Sequence, residues 1–144
     1  MPATREGTMR CSWRRPMTIA YWCILIAGLM PFAWTSVAKF SQGRFGLEEN
    51  LTPREFKAGL EGPQKRAVWA EQNAFEAFPL FAAAVLVAHA AGAPQGIVDA
   101  VAAVFVVLRL LHGVLYVTDR GLMRSLVWFS ALACCVALFV LGAW

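Results

Sequence analysis

The sequence predicts an all-α fold, an integral membrane four-helix up-down bundle. Three observations point there. First, 59% of the 144 residues are hydrophobic and only 15% are charged, with a mean hydropathy of +0.56. Soluble domains sit near roughly 45–50% apolar and 25% charged, so this chain carries too much apolar surface for one small water-soluble core. Second, four apolar runs are long enough to cross a bilayer, which takes about 20 residues. Third, the turns between the last three runs are so short that those runs must be antiparallel neighbours.

Residues 1–16 are polar and basic, with Arg5, Arg10, Arg14 and Arg15. A basic segment before an apolar run suggests a signal peptide, but the run is long enough to span and no small-x-small cleavage site follows it. Met9 and Met17 are alternative starts, so these 16 residues form an N-terminal segment of uncertain status. The first span covers 17–38 and contains Pro31, which neighbouring helices can accommodate in lipid. A long polar loop follows, punctuated by Gly43, Gly46, Pro53, Gly59, Gly62 and Pro63. Within it, a short helix is expected over Pro53 to Leu60, with Thr52 as its cap and Pro53 at the first helical position. The second span covers 66–91, the third 97–117 and the fourth 122–144, joined by the turns AGAPQG and TDRG.

Charge gives an orientation. The loops after spans one and three hold Lys39, Arg44, Arg54, Lys57, Lys65, Arg66, Arg120 and Arg124, whereas the loop after span two has no Lys or Arg. The positive-inside rule puts the first set in the cytoplasm. The N-terminal arginines argue the other way, a conflict that a start at Met17 removes. The net charge of +4 therefore reports topology, and without a Lys/Arg run interleaved with aromatics no nucleic-acid partner is expected. Cys11, Cys23, Cys134 and Cys135 lack metal-ligand or CxxC spacing, so they read as small apolar residues and no metal site is expected.

Some polar residues stand where lipid-facing helices avoid them. Span two opens RAVWAEQNAFEAFPLF, which places Arg66, Glu71, Gln72, Asn73 and Glu76 in or beside apolar helix. Span three holds Arg109, His112 and Tyr116. Each ionisable residue at a span centre costs roughly 2.5–3.5 kcal/mol on insertion scales, and such residues face a bundle interior or a cavity. At about 100° per residue, Arg66, Asn73 and Glu76 lie within roughly 80° of one face, and Arg109, His112 and Tyr116 within about 60° of another. With a rise of about 1.5 Å per residue, Glu76 lies roughly 15 Å in from Arg66, and Arg109 roughly 12 Å in from the same side. Arg124 and Ser125 open span four there. Two readings stand: one shared polar site, or a buried Arg109–Glu76 ion pair that fixes helix register. His89 and Asp99, at the opposite end, read as interfacial helix-end residues. Tyr116, Trp128 and Trp144 fit an aromatic belt.

The pattern Arg66-Ala67-x-x-Ala70-x-x-Asn73-x-x-Glu76-x-x-Pro79-x-Phe81 resembles the second-helix signature of the MAPEG superfamily, the membrane-associated proteins in eicosanoid and glutathione metabolism. Arg109-x-x-His112-x-x-x-Tyr116 and Arg124-Ser125 are similar to the patterns that microsomal glutathione transferase and prostaglandin E synthase-like members carry on the next two helices. The resemblance runs from Met17 onward. It implies a homotrimer with glutathione as cosubstrate between neighbouring subunits. On that reading Arg66 is a structural cation or one at the mouth of the site. Asn73 and Glu76 hydrogen-bond and charge-pair the tripeptide, while Arg109, His112 and Tyr116 line the pocket. Arg124 and Ser125 are the catalytic candidates near the thiol. Trp69 and Gln72 depart from the arginines of prostaglandin E synthase-like members, leaving fewer cations for two carboxylates.

The leading expectation is thus a glutathione-dependent transferase or peroxidase acting on lipophilic electrophiles in a bacterial inner membrane, in contact with membrane lipid. The alternative is a non-catalytic lipid-binding or accessory protein. A transporter or channel is a weaker third reading, because the charges occupy one half of the bilayer only.

Overall fold

A computed structural model describes residues 17–41 and 45–143. The arginines at 5, 10, 14, 15 and 44, together with Cys11, Gly43 and Trp144, lie outside the described residues. Five helices follow in order: α1 (Ile19–Phe40), α2 (Pro53–Ala58), α3 (Gly62–Ala90), α4 (Gln95–Val117) and α5 (Gly121–Gly142). No strand occurs among the described residues. All but α2 are long and apolar enough to cross a membrane, as the four apolar runs require.

The helices α3 and α4 form the central pair, and each packs on both α1 and α5. Their seam is fixed by Phe81 and Phe105, whose rings stack with centroids 3.8 Å apart. Small buried residues let the other helices approach: Ala20, Cys23 and Ala27 from α1, Ala84 and Ala88 from α3, Ala131 and Cys135 from α5. Close helix–helix approach over small residues is how membrane bundles gain packing, since lipid supplies no hydrophobic drive between helices. Gly113 is the tightest case, because a Cβ there would run into the Trp34 indole. Pro31 and Pro79 lie within continuous helices.

Two local boundaries differ from expectation. Helix α3 begins at Gly62, four residues before Arg66. Gly62 and Pro63 read as loop punctuation, yet proline in a first turn gives up only an N–H that has no partner there anyway, so it starts the helix. Helix α2 has Pro53 at its start as expected, but it ends at Ala58, and Thr52 makes no side-chain capping bond. What holds α2 is tertiary. Lys57 Nζ lies 2.7 Å from both carboxylate oxygens of Glu71 on α3, and Leu60 is buried in a cluster with Ala38, Ala67 and Val68.

The two ends of the bundle differ in charge. The end holding α2, the close of α1 and α4 and the start of α3 and α5 carries Lys39, Arg54, Lys57, Lys65, Arg66, Arg120 and Arg124. Among the described residues, the opposite end has no Lys or Arg.

Candidate functional site

Near the basic end, three helices contribute polar side chains to one region. Asn73 and Glu76 come from α3, one turn apart. Arg109, His112 and Tyr116 come from one face of α4, and Arg124 and Ser125 from the first turns of α5. They line two adjoining cavities of about 160 Å³ each. The first is mostly apolar: Asn73, Glu76 and Arg109 form one end, with Leu80, Phe105, Leu132 and Cys135 among the walls. The second holds more polar groups, with Asn73, His112, Tyr116, Arg124 and Ser125 beside the rings of Trp128 and Phe129. Asn73 and Trp128 belong to both. The shared-site reading therefore brings together seven of its eight residues.

The eighth, Arg66, is elsewhere. Its Nε donates to the Val117 carbonyl at 2.9 Å, and its Nη1 lies 4.0 Å from Asp119. It ties the start of α3 to the end of α4 and lines neither cavity.

Arg109 is only 4% exposed. Its Nη2 donates to the Asn73 side-chain oxygen at 2.7 Å and to the Asn73 carbonyl at 3.0 Å. Asn73 Nδ2 in turn donates to Glu76 at 3.4 Å. An Arg109–Glu76 ion pair is not formed. Among the described residues the ion pairs are Lys57–Glu71 and Arg66–Asp119. Asn73 sits between the two charges and takes the guanidinium, while Glu76 stays exposed on the outer side of α3. A buried charge usually requires an opposite charge, and here it rests on a neutral amide. The apolar cavity thus holds one guanidinium and one carboxylate that do not pair directly.

His112 is buried, and its Nδ1 has no hydrogen-bond partner among the described residues. Buried polar atoms are nearly always satisfied, and an orphan calls for an explanation such as a bound water or ligand. The ring meets Tyr116 edge-on, with centroids 5.5 Å apart. The guanidinium carbon of Arg124 stands 4.3 Å from the Tyr116 ring centroid, a cation–π contact. Ser125 Oγ donates to Gly121 O at 3.2 Å, so its proton is used within its own helix and its lone pairs face outward.

Two residues near the site escaped the sequence reading. Trp128 reads as an interfacial aromatic but borders both cavities. Cys135 reads as a small packing residue, and it is buried, yet it also walls the apolar cavity. Trp69, noted from the sequence as a departure from the family's arginines, packs near Tyr116 with ring centroids 6.3 Å apart. Only the helical spacing Trp128–Leu132–Cys135 on α5, in phase with Arg124, could have shown the first two. Glu71 and Gln72 turn away from the cluster and face α2.

A bundle of four membrane-length helices with a polar cluster set into one half defines the class, an integral multi-pass membrane protein. The chain belongs to the MAPEG family, whose sequence model matches residues 19–144. Neither the curated proteins nor the solved structures gave a match.

Proposed function

We propose that this protein uses glutathione to conjugate or reduce lipophilic electrophiles that arrive from the bilayer. The observation that carries the reading is the buried Arg109, held by a neutral amide beside the cavity that Arg124 and His112 line, with His112 Nδ1 unpartnered among the described residues. Two guanidinium groups without direct carboxylate partners suit the carboxylates of the tripeptide. The exposed Glu76 suits its ammonium. His112 Nδ1 supplies a further hydrogen bond.

The chemistry needs an external nucleophile, since the cluster pairs no protein nucleophile with a base. A guanidinium near a thiol lowers its pKa, and the thiolate is the reactive form. With the sulfur near Arg124, the thiolate attacks an electrophilic carbon and a C–S bond forms. The displaced electron pair leaves with the departing group, or remains on the adduct, which then takes up a proton. In the reductive version, the sulfur attacks one oxygen of a hydroperoxide and the O–O bond breaks. An S–O bond forms to give a sulfenic acid, the alkoxide takes up a proton and leaves as alcohol, and a second glutathione thiol displaces water to give the disulfide. The apolar cavity beside Asn73 suits the electrophile's hydrocarbon portion.

A homotrimer is part of the proposal. Trp69, Glu76, Leu80 and Val87 form an exposed stripe along α3, and a carboxylate facing hydrocarbon would be costly. A neighbouring copy would cover it. Each cavity is also smaller than the roughly 300–1,000 Å³ of small-molecule pockets, so a second subunit would complete the site. The proposal places the basic end in the cytoplasm of a bacterial cell, by the positive-inside rule.

The test is glutathione-dependent turnover of a general hydrophobic electrophile by the purified protein and by Arg124→Ala. Turnover that collapses in the variant supports the reading, and equal turnover removes Arg124 from the mechanism. A second reading is a non-catalytic lipid-binding protein, favoured by Trp69 packing near Tyr116 where a cation would aid capture. Protein that retains lipid and never consumes glutathione would establish it.

A further inference from the structure

A third cavity lies on another face of the molecule and shares no residue with the two described above. It is bounded by Arg54, Lys57 and Ala58 of α2 and by Lys65, Val68, Glu71 and Gln72 of α3. Three cations and one carboxylate line it, and 3 − 1 leaves two positive charges. The carboxylate is already engaged, because Glu71 accepts from Lys57. Lys65 is held at the rim by its bond to the Ala58 carbonyl at 2.9 Å.

Its position relative to the bilayer follows from the packing of the loop. Phe40 ends α1, Phe45 packs edge-on against it at 5.5 Å, and Phe56 of α2 packs against Phe45 at 5.2 Å. Helix α2 therefore lies against the ends of α1 and α3, where the spans leave the hydrocarbon. The turn between carries Leu47 and Leu51, which are 89% and 82% exposed, the highest values among the large apolar residues. Exposed apolar side chains on a span are explained by lipid. On a loop beside the span ends they fit a loop that lies in the interface, where apolar groups enter the headgroup boundary and basic groups meet phosphates. From Lys65 to Gln72 the groove runs seven residues down α3, roughly 10 Å at helical rise. It passes from Lys65 at the rim to Val68, then to the Lys57–Glu71 pair and Gln72, and Phe75 is exposed one turn further on.

We infer that this groove holds an anionic phospholipid of the surrounding bilayer. The phosphate sits at Arg54 and Lys65, the ester region lies beside Gln72, and the acyl chains run along α3 past Phe75, with Leu47 and Leu51 inserted alongside. The charge sign, the polar-to-apolar gradient and the interfacial loop all fit that one occupant. This site is independent of glutathione chemistry.

The test uses the full chain purified in detergent and relipidated with defined lipids, read by native mass spectrometry. Phosphatidylglycerol is expected to be retained over phosphatidylcholine. The double variant R54Q/K65Q should lose that retention by roughly thirtyfold, the factor for two interfacial cations. R54K/K65R should keep it, which separates charge from folding. Millimolar inorganic phosphate should not displace the lipid. Equal retention of the two lipids would overturn the inference. So would unchanged retention in R54Q/K65Q, loss in R54K/K65R, or displacement by free phosphate.

Discussion

The two ends of the bundle treat buried polar groups in opposite ways. At the end without Lys or Arg among the described residues, His89 Nδ1 meets Gln95 Oε1 at 2.8 Å, Gln95 Nε2 donates to Asp99 at 2.8 Å, and the same Asp99 oxygen accepts from Ala20 N at 2.8 Å. Tyr21 packs on the His89 ring with centroids 4.8 Å apart. Here a carboxylate caps the start of α1 against the helix dipole, and each group named has a partner. At the basic end, a guanidinium leans on a neutral amide, an imidazole nitrogen has no partner among the described residues, and a carboxylate is exposed. The closed network serves the fold; on the proposed function, the open one leaves bonds for a ligand. That contrast separates interfacial polar residues from site residues, which residue type alone does not: each end has a histidine and a carboxylate.

The contrast can be broken in four places. Arg124→Ala should have the largest effect. Glutathione-dependent turnover should fall roughly a hundredfold or more, the scale for losing one preorganised electrostatic contact, with thermal unfolding in detergent little changed. Asn73→Ala should damage both fold and site. It strips Arg109 of its side-chain acceptor and should cost about 1.5–3 kcal/mol, the scale of a hydrogen bond to a charged group, read by denaturant unfolding. Asp99→Ala should cost about 1 kcal/mol, as lost helix caps do, while leaving glutathione binding and turnover unaltered. His112→Phe should do the reverse, keeping the packing while weakening glutathione roughly fivefold, the scale of one hydrogen bond of about 1 kcal/mol. A stability loss in His112→Phe matching that of Asp99→Ala would erase the distinction between the two ends.

Much of this was legible from spacing. Arg109, His112 and Tyr116 stand at i, i+3 and i+7, which is one helix face whatever surrounds it, and they do meet in one place. Asn73 and Glu76 could also be placed on one face. Which of the two would reach Arg109 could not, because they are one turn apart and both within reach. The choice depends on how α3 is rotated against α4, which the stacked Phe81 and Phe105 help to set. Arg66 shares the face of Asn73 but lies two turns further toward the end of the helix, where the Val117 carbonyl is its acceptor. Helical phase cannot see that difference of depth when a long side chain can bend either way. Trp128 was hidden for another reason. A tryptophan near a span end fits a belt as well as a pocket, and only the neighbours contributed by α3 and α4 decide between them. The Lys57–Glu71 bond joins a loop helix to a span, and no periodicity encodes such a pairing.

The most direct measurement of the central claim is calorimetric titration of glutathione into the detergent-purified protein, alongside Arg124→Ala, Glu76→Gln and Asp99→Ala. Saturable binding that weakens in the first two variants and persists in the third is the predicted result. No binding at millimolar glutathione, or equal weakening in all three variants, would contradict it.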